Sequence, residues 1–308
     1  MHPSISNTPS ASLSARLHQF MRDHQLTSFF LLAYAFSWLV TLPYVLSVWG
    51  VIKGDFIIGY MVNKWVGPAL AAMLMTRIVA GKAGSLHLRM QIRNWRVQWQ
   101  WYLFIFVGIP ALVLLGVLFV PSALDNFHGL TPDIPVSYLI NFILIFFAVG
   151  LPEEIGWRAF ALPRLQSRYG QLWGTLLLGV LWAFWHALYY LTPAHGGGPG
   201  NRFTDVLLNF ALFFLFVESL SIIFTWVFNH TQGSIFIAGL MHTAIDAPQL
   251  VWLPLFLPVG ALNSAKGETS LLSAVIIPFG FLALLLLLLT HGALGYQPGT
   301  IKGATFEE

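Results

Sequence analysis

What most constrains this chain is a succession of apolar stretches, each about the length of a bilayer crossing. A membrane-spanning helix needs roughly 20 predominantly apolar residues. Eight segments meet that need: Thr27–Trp49, Phe56–Ala80, Trp101–Pro121, Val136–Leu162, Leu172–Thr192, Val206–Phe228, Gly233–Phe256 and Ser270–Thr290. Only 9% of the 308 residues are charged, against about 25% in a soluble domain, so a water-soluble globular protein is excluded. Within lipid, backbone polar groups must be satisfied inside the segment, which leaves helices for stretches of this length. The expected fold is therefore all-α: a polytopic membrane protein of eight transmembrane helices. No repeat or separate soluble domain interrupts it. Residues 1–25 are expected to form a polar cytoplasmic tail that is mobile or lies on the surface, residues 26–292 one membrane domain, and residues 293–308 a cytoplasmic C-terminal tail.

The few charges set the orientation. With the N-terminus inside, Arg16, Arg22, Arg77, Lys82, Arg89, Arg93, Arg96, Arg164, Arg168 and Lys302 are cytoplasmic, ten in all, and Lys53, Arg202 and Lys266 are the three outside. The positive-inside rule then favours both termini inside, in a plasma (inner) membrane. Lys64 and Arg158 fall within predicted spans. The stretch Leu86–Trp101 alternates Arg with Trp and aliphatic residues and reads as an interfacial segment. Cysteine is absent, which excludes disulfides, thiolate metal sites and a Cys nucleophile. The small excess of basic residues offers no footprint for nucleic acid.

Ionisable groups inside a bilayer are costly and mark function. Glu153, Glu154, Glu218 and Asp246 lie in predicted spans, as do His186 and His242. In Gly150-Leu-Pro-Glu-Glu-Ile-Gly-Trp-Arg158, Glu154 and Arg158 are spaced i,i+4 and can pair on one helix face. Glu153 points about 100° away and has no cation at i+3 or i+4, so it is the carboxylate free to handle a proton. Pro152 removes a backbone donor and is expected to kink the helix, freeing a carbonyl near Ala148. Trp182-Ala-Phe-Trp-His186 places a histidine on the fifth span, and His242-Thr-Ala-Ile-Asp246 places a His and an Asp on one face of the seventh.

These groups suffice for hydrolysis by activated water, with Glu153 as base, His186 sharing the water and His242 donating to a developing oxyanion. No Gly-x-Ser-x-Gly elbow and no His-Glu-x-x-His helix occurs. Two histidines and a carboxylate on separate helices can also hold Zn²⁺ with an open fourth position, so Glu153, His186, His242 and Asp246 are candidate zinc ligands. The residues alone leave both routes open. Counted from the cytoplasmic ends at 1.5 Å per residue, Glu153 and His242 lie about 14 Å deep and His186 about 21 Å. A shared site requires tilt to close that gap. Glu218 either lines the cavity or pairs with Lys64.

In order on successive spans, Glu153-Glu154-x-x-x-Arg158, Trp182-x-x-x-His186 and His242-x-x-x-Asp246 resemble the three motifs of the CPBP family. That family comprises type II CAAX prenyl endopeptidases and bacteriocin-processing, Abi-type membrane proteases. Glu153–Gln166, Gly67–Ala72 and Trp95-Arg96 before Trp101-Tyr102 extend the resemblance to a bacterial subgroup. It implies an eight-helix intramembrane endopeptidase, labelled in the family either a metalloprotease or a glutamate enzyme. Glu153 and His186 would activate water, His242 and Asp246 would stabilise the oxyanion, and Glu154, Arg158 and Trp182 would support them. Its site would open to the cytoplasm, and its partner would be a membrane-bound or lipidated peptide. Three positions depart from the pattern: Trp182 where Phe is usual, Ala159 where Gly is usual, and Asp246 where Asn is usual. An ionised Asp cannot donate to an oxyanion, so Asp246 is expected to orient His242, carry a proton or bind a cation. The competing readings are an inactive immunity or scaffolding protein that keeps the architecture, and a proton-coupled transporter. Transporters commonly carry duplicated halves, which this sequence lacks. Substrate identity and oligomeric state have no signature here.

Overall fold

The computed structural model describes residues 13–258 and 264–296. The expected tails fall partly outside this range, at residues 1–12 and 297–308. Among the described residues there are helices and no strands. A first helix, α1 (Leu13–Asp23), precedes eight helices long and apolar enough to cross a membrane. These are α2 (Gln25–Val48), α3 (Ile57–Arg93), α4 (Trp99–Phe119), α5 (Ile134–Tyr169), α6 (Gln171–Leu191), α7 (Phe203–His230), α8 (Ile235–Phe256) and α9 (Ala265–Thr290). The expected count of eight agrees, and the largest boundary differences are the ends of the second and fourth spans, at Arg93 and Tyr169 in place of Ala80 and Leu162.

Two polar stretches are more ordered than their composition suggests. The described part of the N-terminal tail is helical, buries none of its own residues, and is tied down where Arg22 Nε donates to the Ile78 carbonyl at 2.9 Å. The second span continues beyond Ala80, because Gly81 adopts φ +60°, ψ −142° and restarts the helix in a new direction as far as Arg93. Only glycine takes that conformation without steric penalty. The interfacial stretch is thus helical to Arg93 and again from Trp99, with a short connector at residues 94–98 between, and Ser234 Oγ, capping the start of α8, donates to the Asn94 carbonyl at 2.5 Å.

Proline widens the helices locally. Pro152 does not break α5. The helix widens into a π-helical turn over Phe146–Gly150, and again over Ile155–Ala161 before Pro163. The same widening precedes Pro110 in α4 and surrounds Pro68 in α3. A proline leaves the carbonyl four residues back without its donor, and one extra residue per turn lets the helix absorb the defect. The neighbouring Phe147 carbonyl is taken up by Trp65 Nε1 of α3 at 2.8 Å, so an opened turn in α5 becomes a link between helices.

The two halves of α5 face different surroundings. Nothing in Ile134–Ile145 is buried, whereas Pro152 to Arg158 are all buried. The second half packs between α3 and α8 through two glycines. A Cβ at Gly156 would stand 2.5 Å from Pro68 Cβ of α3, and one at Gly150 would stand 2.7 Å from the Gly239 carbonyl of α8. Only hydrogen fits at these points, so Glu153 and Glu154 are held midway between two close helix contacts.

Candidate functional site

The turn Pro152–Glu154 lies between the two widened turns and presents its carboxylates in different directions. Glu154 is fully buried, and its Oε1 accepts from an Arg158 terminal nitrogen at 3.1 Å and from His242 Nδ1 at 2.8 Å. The expected i,i+4 ion pair is present. It is also joined to the third motif across 88 residues of sequence, a link that spacing alone does not reveal. The Arg158 guanidinium lies between aromatic faces, 4.1 Å from the Phe224 ring centroid and 4.2 Å from that of Trp182. Stacking of this kind suits a planar, weakly hydrated cation in a dry interior.

Glu153 is buried beside two indoles. Its Oε2 accepts from Trp182 Nε1 at 2.8 Å and from Trp157 Nε1 at 3.3 Å. No described residue donates to Oε1, and Glu153 has no bonded cation. Trp157 sits at i+4, the position Arg158 occupies relative to Glu154, so the two neighbouring glutamates have one neutral and one charged partner in the same register.

Trp182 joins the first two motifs. Its indole bonds Glu153 while its carbonyl, one helical turn before His186, accepts from His186 Nδ1 at 2.9 Å. The carbonyl fixes the donor on Nδ1, so the neutral ring carries its lone pair on Nε2. His186 stands where α6 tightens from α-helix to a 3-10 helix, packed against Trp185 and Phe213. The connection between Glu153 and His186 therefore runs through Trp182.

His242 and Asp246 share a face of α8, with Nε2 and Oδ2 3.5 Å apart. Both ring nitrogens of His242 thus face carboxylates. Asp246 keeps 36% of its side chain exposed while Glu154 keeps none, so the site runs from a sealed floor at Glu154 to an open edge at Asp246. The third polar helix face is that of α3. Lys64 is half-buried, with its ammonium 4.7 Å from the Tyr189 ring centroid and 5.1 Å from that of Tyr60. It lies within electrostatic reach of Glu153 and Asp246. Sequence reasoning placed Lys64 in a span but not in the site; a lone cation in an apolar helix was the available signal. Glu218 does not pair with it. That carboxylate lies on α7 against Gly179 of α6.

Among the described residues no three His, Asp or Glu side chains converge as a metal's ligands must.

Comparison with known proteins bears on the same helices. Residues 135–248 match the family model described as type II CAAX prenyl endopeptidase Rce1-like. A protein named CAAX prenyl protease 2 from Methanococcus maripaludis is 30% identical over 155 residues, which are 47% of this chain and 54% of that protein. The chain thus spans about half the length of this curated relative. The matched segment contains all three motifs and excludes Lys64.

Proposed function

We propose that this chain, whose residues 135–248 match the type II CAAX prenyl endopeptidase Rce1-like model, belongs to the CPBP family and is an intramembrane endopeptidase that hydrolyses membrane-associated peptides by carboxylate-activated water. The observation that carries this reading is the division of labour between adjacent glutamates. Both keep one oxygen without a protein donor, but Glu154 is tied through its other oxygen to the Arg158 guanidinium and to His242, whereas Glu153 is held by neutral indoles alone and is free to exchange a proton. Glu153 takes a proton from water as it attacks the scissile carbonyl and delivers it to the departing amine. His186 shares the water through Nε2. His242, held from both sides by Glu154 and Asp246, turns its Nε2–H from the long contact with Asp246 to the developing oxyanion. Asp246 orients that imidazole, which accounts for a carboxylate where a donor would otherwise be wanted. Arg158 and Trp182 fix the two glutamates. No step uses a metal.

The substrate in this reading is a lipidated or otherwise membrane-bound protein that enters from the bilayer, and both termini face the cytoplasm of a plasma membrane. The test is incubation of the purified protein in proteoliposomes with a C-terminally prenylated peptide, in H₂¹⁸O and excess chelator, with products read by mass spectrometry. Cleavage with one ¹⁸O in the new carboxylate is expected. Intact peptide together with proton flux across the liposome would replace the reading with a transporter. Intact peptide without flux would leave a scaffold.

A further inference from the structure

The mechanism above supplies the oxyanion with a single donor, His242. Its other nitrogen is bound to Glu154, and in the orienting role given to it above Asp246 is a carboxylate with no proton to give. Arg158 is sealed beneath Trp182 and Phe224 and paired with Glu154. The remaining cation of the site is Lys64. We propose that Lys64 is a catalytic residue of this protein, the second and charged donor to the oxygen that becomes negative when water adds to the substrate carbonyl. This rests on the proteolytic reading above.

Position is the first argument. The spans alternate in direction, so α3 and α5 run parallel, and they touch where Pro68 fills the space a Gly156 side chain would take. Lys64 lies four residues before Pro68 and Glu153 three before Gly156, so both stand about one turn from that contact on neighbouring helices. The widened turn Trp65–Ala69 begins immediately after Lys64. The turn before it is pinned by Asn63, which donates to Thr41 Oγ1 at 3.1 Å and accepts from Ser37 Oγ at its carbonyl at 3.0 Å.

Bonding is the second argument. Among the described residues the ammonium has no ion pair, and its neighbours are the faces of Tyr60 and Tyr189. Aromatic faces hold a cation without consuming its N–H donors. Tyr189 is itself buried, and its hydroxyl makes no hydrogen bond of normal geometry. A three-donor cation resting on rings and within reach of Glu153 and Asp246 is placed to meet negative charge that arises during the reaction.

Lys64→Met and Lys64→Gln are compared with the wild type for peptide turnover and for binding of a phosphonate peptide, whose anionic tetrahedral group mimics the intermediate. Melting temperatures establish that each variant is folded, and Lys64→Gln serves if Lys64→Met is not. Loss of one oxyanion donor is expected to lower kcat about 10²–10³-fold, with KM changed less than about threefold and phosphonate affinity reduced in parallel with kcat. A kcat within about threefold of wild type, a loss confined to KM, or unchanged phosphonate affinity overturns the assignment. Wild-type protein that cleaves nothing, or a Glu153→Gln variant as active as wild type, defeats the proteolytic reading itself and Lys64 with it. Turnover abolished by Glu153→Gln but indifferent to Lys64 defeats only the Lys64 assignment.

Discussion

Two places in this membrane domain hold carboxylates that lipid alone would not tolerate, and they are built in opposite ways. At Pro152–Glu154 every buried oxygen but one on each glutamate has a donor: two indoles for Glu153, a guanidinium and an imidazole for Glu154. At Glu218 neither oxygen has a partner, and room for the group comes from the missing side chain of Gly179, where a Cβ would lie 2.6 Å from Oε2. An unpaired carboxylate at such depth is carried most cheaply as the neutral acid. Depth in the membrane therefore does not identify the reactive group. The kind of donor does: Glu154 is paired with a guanidinium, whereas Glu153 is held by two neutral indoles and is free to exchange a proton.

The largest effect expected from disturbing this contrast comes from Arg158→Met. It leaves Glu154 buried with the His242 imidazole as its remaining partner and costs up to about 3–5 kcal/mol of stability, read as a fall in the detergent melting temperature. The double variant Glu154→Gln/Arg158→Met removes both charges and is expected to recover most of that loss; a double variant no better than the single would show that the aromatic stacking of Arg158, not its charge, holds the turn. A smaller effect is expected from Trp182→Phe, which keeps the ring packing and deletes the 2.8 Å bond to Glu153. A hydrogen bond to a charged group contributes about 1.5–3 kcal/mol, so kcat is expected to fall by roughly one to two powers of ten. The smallest is Glu218→Gln, where turnover within about twofold of wild type and stability within about 0.5 kcal/mol are expected. A large loss there would place Glu218 in the machinery and erase the distinction between the two regions.

Much of the site was legible from spacing. The eight spans follow from apolar length, and the pairs Glu154–Arg158 and His242–Asp246 follow from the i,i+4 rule, which the structure bears out at 3.1 and 3.5 Å. Both are local facts of one helix. The bond from His242 to Glu154 and the bond from Trp182 to Glu153 join separate helices, and no periodicity within a helix specifies which face a distant helix presents. The widened turn beside Pro152 was not legible for a related reason. Counting lost donors predicts a freed carbonyl but not the π-helical turn over Phe146–Gly150, nor that the Phe147 carbonyl is taken up by Trp65 of another span. Lys64 was visible as a buried cation. Its approach to Glu153 depends on the Pro68–Gly156 contact, which is a property of packing.

The most direct test of the account is the turnover of Glu153→Gln in proteoliposomes against the wild type, with melting temperature measured on the same samples. The amide keeps the shape of the carboxylate and can still accept from Trp182, but it cannot take a proton from water. The account predicts an unchanged melting temperature and a loss of at least about 10²–10⁴-fold in kcat, the range expected for a general base. A folded Glu153→Gln protein that cleaves at the wild-type rate would contradict it.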